Sequence, residues 1–151
     1  MKYAVIGSRN PSNESVIKVW EYLNEFICEL DDDVEIVTGG AFGMDTEGMK
    51  FAHEHAIPLT VYEPAGWHNE ELCDEYRGDE NNNIVHTGLG FNERNTLIIN
   101  DADVVIVGDF GNGTIDAMNK AIAQHKPVYV FGHYIPGRYV KRIPEGIIYM
   151  G

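Results

Sequence analysis

Short apolar runs alternate with segments of helical periodicity along almost the whole chain, and this alternation restricts the fold more than any other feature. Tyr3–Gly7, Val34–Thr38, Leu59–Tyr62, Asp103–Val107 and Val128–Phe131 read as short strands. Between the first two, Ser15–Leu30 carries Val16, Val19, Trp20, Leu23, Phe26, Ile27 and Leu30 at helical spacing. Asp31-Asp32-Asp33 then marks a turn, since adjacent like charges suit solvent better than an element interior. Asp45–Ala56, Glu93–Asn100 and Ile115–Gln124 read as further helices. Strands joined through helices need crossovers, and right-handed crossovers give a parallel sheet covered on both faces. The expected fold is a single doubly wound, Rossmann-like α/β sandwich over residues 1–151. Its mostly parallel sheet should have about five strands in the order 3-2-1-4-5, with room for an extra C-terminal strand at Gly146–Met150. Residues 64–91 lack a clear period and read as a long functional loop or lid.

Charge narrows the partners. Eleven Lys and Arg against 24 Asp and Glu leave a net charge of −13. Tight duplex binding commonly uses about 6–10 phosphate contacts, which would commit most of the basic residues to one face. The one local basic cluster, Arg138, Lys141 and Arg142, reads as an ordinary solvated face. Nucleic acid is therefore a disfavoured partner, whereas a small anion held by local donors is compatible with the charge. No apolar run approaches the roughly 20 residues of a membrane span, and the first residues lack a signal-peptide layout. Cys28 and Cys73 show neither metal-ligand nor redox spacing, and Cys28 reads as a core residue. The six histidines form no metal motif; His53 and His55, two apart, cannot share a helix face. No metal and no cofactor are expected, and the reducing cytoplasm is the expected compartment.

In doubly wound sheets a ligand binds beyond the carboxyl ends of the strands, where the winding reverses. Three segments fall there: Gly7-Ser8-Arg9-Asn10, Gly39-Gly40-Ala41-Phe42-Gly43-Met44-Asp45, and Gly108–Asp116 with Gly111, Gly113 and Thr114. The last two run from a strand through a glycine-rich turn into a helix. Glycine allows close approach to the main chain, and a helix N-terminus offers unpaired N–H groups and a positive dipole end. Such turns suit phosphate. Neither G-x-G-x-x-G after the first strand nor G-x-x-x-x-G-K-[ST] is present, so standard NAD and P-loop chemistry are disfavoured. Arg9 and Arg94 are the candidate phosphate forks, next to Asn95. Asp45 and Asp116 lie just inside helix N-termini, where capping or dipole pairing competes with a ribose-binding or general-base role.

The ordered set Gly7-Ser8-Arg9, Thr38–Asp45, Glu93-Arg94-Asn95, Ala102–Val107 and Gly111–Asp116 resembles the SLOG superfamily over roughly residues 1–131. That superfamily joins DprA/Smf-like, LOG-like and YspA-like Rossmannoid proteins, and the YspA-like branch matches best. The resemblance implies a nucleotide or nucleotide-derived ligand and a homo-oligomer, dimer or larger; Leu97-Ile98-Ile99 is compatible with a helix interface. LOG-like members hydrolyse the N-glycosidic bond of nucleoside 5′-monophosphates with the signature P-G-G-x-G-T-x-x-E and an upstream arginine. Arg94 matches that arginine, but the glutamate position falls on Ala117, with Asp116 one residue earlier. If that chemistry survives, Arg94 would hold phosphate and Asp116 would stabilise the oxocarbenium-like charge. The leading expectation is a sensor, carrier or sequestering protein for the ligand. The alternatives are a LOG-like phosphoribohydrolase or a DprA-like single-stranded DNA binder. In the loop, Trp67, His68, Tyr76, His86 and Phe91 are candidates to meet a base. The acidic stretch Glu70, Glu71, Asp74, Glu75, Asp79 and Glu80 matches no calcium loop.

Overall fold

The computed structural model describes residues 1–151. Seven parallel strands form one sheet in the order β4-β3-β2-β1-β5-β6-β7. They are β1 (Lys2–Gly7), β2 (Glu35–Thr38), β3 (Leu59–Glu63), β4 (Asn82–His86), β5 (Val104–Phe110), β6 (Val128–Tyr134) and β7 (Ile148–Tyr149). The helices are α1 (Asn13–Tyr22), α2 (Met44–Glu54), α3 (Glu70–Arg77), α4 (Phe91–Asp101) and α5 (Asn112–Ala123). The five strands expected from sequence keep their expected order at the centre of this sheet.

Period-2 alternation divides the core. On β1, Val5 faces a cluster with Val19, Leu23, Ile36, Met44, Met49 and Phe51, beneath α1 and α2. Its neighbours Ala4 and Ile6 face the opposite cluster, with Ile98, Ile99, Val107, Ile115 and Met118 beneath α4 and α5. Both sheet faces are thus apolar, which is why the central strands read as continuous hydrophobic runs.

Two sequence expectations need correction. Residues 64–91 are not one loop, because they contain α3 and β4. Only Cys73 and Tyr76 of α3 are buried, and β4 is a half-exposed edge beginning with Asn82-Asn83, so neither carries a strong apolar signal. The first helix ends earlier, passing at Leu23–Ile27 into a π-helical turn, and Cys28 just beyond is half-buried. Of the 97–99 run, Ile98 and Ile99 pack into the core and Leu97 is half-buried. The suggested C-terminal strand is present as the two-residue β7.

Candidate ligand cleft

The winding reverses between β1 and β5, whose ends pair Gly7 with Gly108. A Cβ on Gly7 would meet the carbonyl oxygen of Asp109 at 2.7 Å and Met44 Cβ at 2.9 Å, so the close strand approach requires glycine. Beyond these ends lies a cleft of about 550 Å³, within the 300–1,000 Å³ typical of small-molecule sites. Gly7, Ser8, Arg9, Asp45, Arg94, Asn95, Gly111, Gly113 and Thr114 all line it. Gly39, Gly40, Gly43 and Asp116 do not, and each has another place.

The β2 turn spends its amides inward. Ala41 N–H donates to Asp45 Oδ2 at 3.2 Å, and the Gly39 amide also reaches that carboxylate. Met44 N–H donates to the Ser8 carbonyl at 3.0 Å, and Gly43, at φ +85°, packs against the carbonyls of Ser8 and Arg9. The first two turns therefore abut, as expected, but the second is not an open cradle. Open donors remain on α5. Its N-cap Gly111 makes no side-chain hydrogen bond, so the first-turn N–H groups face the cleft uncapped.

Arg94 provides the cleft's buried charge. It is 5% exposed, and its Nη1 donates to the carbonyl of Gly39 and, at 3.2 Å, to that of Tyr62. Its Nε has no partner, and no carboxylate lies within ion-pair distance of the guanidinium. Burial lowers its pKa, opposed by the charge of Asp45. Asp45, itself 5% exposed, is raised to about 6 by burial, against the opposing pull of Arg94, the Ala41 and Gly39 amides and Arg9. It is the one carboxylate among the cleft residues. Arg9 stands at the exposed rim, its Cζ 5.1 Å from the centroid of Phe91 and 5.3 Å from that of Trp67. Trp67 in turn packs on Phe42 at 4.6 Å.

Asp116 points elsewhere. It accepts from Lys120 Nζ at 2.8 Å and from Asn95 Nδ2 at 3.2 Å, while Ala117 occupies the cleft wall. Of the loop aromatics, Phe91 lines the cleft and Trp67 joins its rim. Tyr76 is buried and stacks on His53, and His86 is exposed at the end of β4. His68 is buried behind the β2 turn, with Nε2 2.8 Å from Glu63 Oε2.

Two contributions escaped the sequence reading. Ile135, Pro136 and Gly137, following β6, close one wall of the cleft; their apolar-Pro-Gly signal marks a turn but not its neighbour. Asp109 adopts φ +43° inside β5 and is 2% exposed. It accepts from Ser12 N–H and His133 N–H, both at 2.8 Å, tying β5 to β6 and to the N-terminus of α1. Burial pushes its pKa up, but those amides and the hydroxyls of Ser15 and Ser12 more than offset this and hold it below the usual value.

A parallel doubly wound sheet with a polar cleft at its switch point defines the class: a Rossmann-like protein with a small-molecule-sized site. More specifically, the chain belongs to the SLOG cluster4 family, whose model matches residues 1–146. No curated protein matches it significantly. Among solved structures it is similar to DNA processing protein A of Streptococcus pneumoniae, at 19% identity and a TM-score of 0.71. That match covers 99% of this chain but only 58% of the other. It is also similar to the molybdenum cofactor binding protein of Rippkaea orientalis, at 20% identity and TM-score 0.67, covering 89% and 77% of the two chains. The molybdenum cofactor carrier protein of Chlamydomonas reinhardtii matches at 18% identity and TM-score 0.64, covering 87% and 75%. At these identities the likeness is one of fold. No helix is long and apolar enough to cross a membrane.

Proposed function

We propose that this protein binds a nucleotide or nucleotide-derived ligand, phosphate inward, and acts as a carrier, sensor or sequestering protein. One observation carries the reading: a buried guanidinium in the cleft wall with an orphaned Nε and no acid in ion-pair contact. Buried charges are normally paired, because desolvating them alone is costly. A phosphate guest would supply the missing partner, with the uncapped α5 terminus adding further donors. Arg9, Phe91 and Trp67 would then meet the organic part of the guest at the rim.

Binding without turnover fits the acid placement. The cleft holds Ala117 where LOG-like enzymes carry their glutamate, and Asp116 is engaged by Lys120 outside it. Similarity to two proteins named for binding or carrying the molybdenum cofactor supports small-molecule carriage on this fold. Similarity to a DNA processing protein raises the nucleic-acid reading, which the net charge of −13 disfavours.

The test is mass spectrometry of whatever denaturation releases from the purified protein. A calorimetric screen of nucleoside monophosphates, cyclic nucleotides and ADP-ribose should accompany it. The expected result is one phosphate-bearing compound binding more tightly than millimolar at one site per chain. Release of free base from a nucleoside monophosphate, or no binding by any phosphorylated compound, overturns the reading.

A further inference from the structure

Behind the β2 turn, outside the cleft, Glu63, His68 and Cys73 bring their carboxylate oxygen, ring nitrogen and sulfur within 4.8 Å of one another. All three are buried, at 2%, 5% and 0% exposure. They come from three successive elements: the end of β3, the loop after it, and α3. We propose that this trio is a zinc site that staples the β3–α3 connection to the underside of the ligand cleft.

The surroundings resemble the outer shell of a metal centre. A metal-bound histidine usually donates its other ring N–H to a carbonyl or carboxylate, which fixes the ring and its tautomer. His68 Nδ1 lies 2.7 Å from the Gly66 carbonyl, which leaves Nε2 as the ligand nitrogen. Nε2 then faces Glu63 Oε2 at 2.8 Å, and two lone pairs cannot meet at that distance unless a cation lies between them. A single proton or a metal ion satisfies the requirement. The presence of Cys73 Sγ beside the pair favours the metal, because a thiol adds nothing to a shared proton but completes a soft ligand set.

The other Glu63 oxygen is already held: Oε1 accepts from Arg77 Nη2 at 2.8 Å, so Oε2 is the one aimed at an ion. Ligating carboxylates are commonly held by such outer hydrogen bonds. Zinc bonds of about 2.0–2.3 Å at tetrahedral angles place ligand atoms roughly 3.3–3.8 Å apart, so the trio needs movements of about an ångström. The fourth position falls to water. On binding, the ion displaces the proton shared by His68 and Glu63 and the thiol proton of Cys73, and both leave to solvent.

The site's position gives it a consequence. Gly40, at φ +74°, packs so closely that a Cβ there would lie 3.2 Å from Cys73 Sγ and 3.9 Å from His68 Cδ2. Asn69 N–H also donates to the Gly40 carbonyl at 2.8 Å. An ion held by the trio therefore stiffens the turn whose carbonyl at Gly39 holds Arg94.

Chelator-treated protein titrated with Co²⁺, then Zn²⁺, tests this. One equivalent of Co²⁺ should bind with a tetrahedral ligand-field spectrum and a thiolate charge-transfer band, and one equivalent of Zn²⁺ should displace it. The band should vanish in Cys73→Ser and persist in Cys28→Ser, and His68→Gln should weaken Zn²⁺ binding by more than the roughly tenfold minimum that loss of an outer-shell partner costs. X-ray absorption of the zinc-loaded wild-type protein should show one sulfur and at least one imidazole, a measurement independent of how the variants fold. A wild-type shell of oxygen and nitrogen alone, a thiolate band that survives Cys73→Ser, or no stoichiometric Co²⁺ binding overturns the proposal.

Discussion

Arg94 reaches from α4 across the end of the sheet to the carbonyl of Gly39, and a Cβ on Gly39 would lie 2.7 Å from the Arg94 Cζ. The bare main chain at the end of β2 thus makes room for a guanidinium and orients it, although Gly39 itself never reaches the cleft. The glycine belongs to the site through the arginine it admits.

Gly39→Ala should therefore displace Arg94 while leaving the sheet in place. Overpacking of this kind costs about 1–3 kcal/mol of stability. Affinity for a phosphorylated ligand should fall at least tenfold, as expected when hydrogen bonds to a charged group worth about 1.5–3 kcal/mol are misplaced. Calorimetry and thermal unfolding of the variant separate the two effects.

Asp45 gives the protein a pH dependence of defined sign. Its carboxyl is raised from 3.8 to about 6, so between those values the folded state binds more protons than the unfolded one. Stability from this group is greatest below pH 4, falls as pH rises to about 6 and is flat above; the full difference is roughly 3 kcal/mol. Asp45→Asn should remove that slope in urea unfolding measured from pH 4 to 7.

The same residue should tune the cleft. Neutralising Asp45 leaves Arg94 free of its competing charge, so a phosphodiester, whose own charge is constant, should bind more tightly at pH 5.5 than at pH 7.5. In Asp45→Asn that difference should shrink to the contribution of other groups, as read by calorimetry at the two pH values.

Asp109 makes the opposite pH contribution. Its lowered carboxyl stabilises the fold above its unfolded value near 4, and that contribution is lost as pH falls through the folded value. Asp109→Ala strands the amides of Ser12 and His133 and keeps a positive φ that alanine resists. A loss of about 2–5 kcal/mol is expected by denaturant unfolding. Asp109→Asn, which retains an acceptor and tolerates φ +43°, should lose less.

Arg9 and Arg94 should differ in their response to salt. Arg9 is exposed at the rim, where ions screen within about 8 Å, so Arg9→Ala should cost affinity at low ionic strength and little at high. The buried Arg94 should matter at both, as isothermal titrations at two salt concentrations would show.

The fold was legible where burial is two-sided. Val104–Val107 and Ala4–Ile6 announce central strands because both faces need apolar residues. It was illegible where burial is one-sided and thin, as at β4, whose Asn82-Asn83 start carries no apolar pattern, and at α3, which buries only two side chains. For the site, sequence order placed Arg9, Arg94, Asp45 and the α5 turn at one sheet edge, and the structure puts them in one cleft. What spacing could not reveal is which amides a turn spends on itself. Asp45 claims those of Gly39 and Ala41, so the glycine-rich turn at β2 serves internal structure. Nor could it bring Glu63, His68 and Cys73 together, since five-residue steps across a strand end, a loop and a helix match no repeating geometry.

The most direct test is calorimetric titration of the tightest-binding phosphorylated compound into wild-type protein and into Arg94→Gln, at equal pH and salt. The account predicts a folded variant whose affinity is lower by about tenfold to a hundredfold. Equal affinity in the two proteins would contradict it.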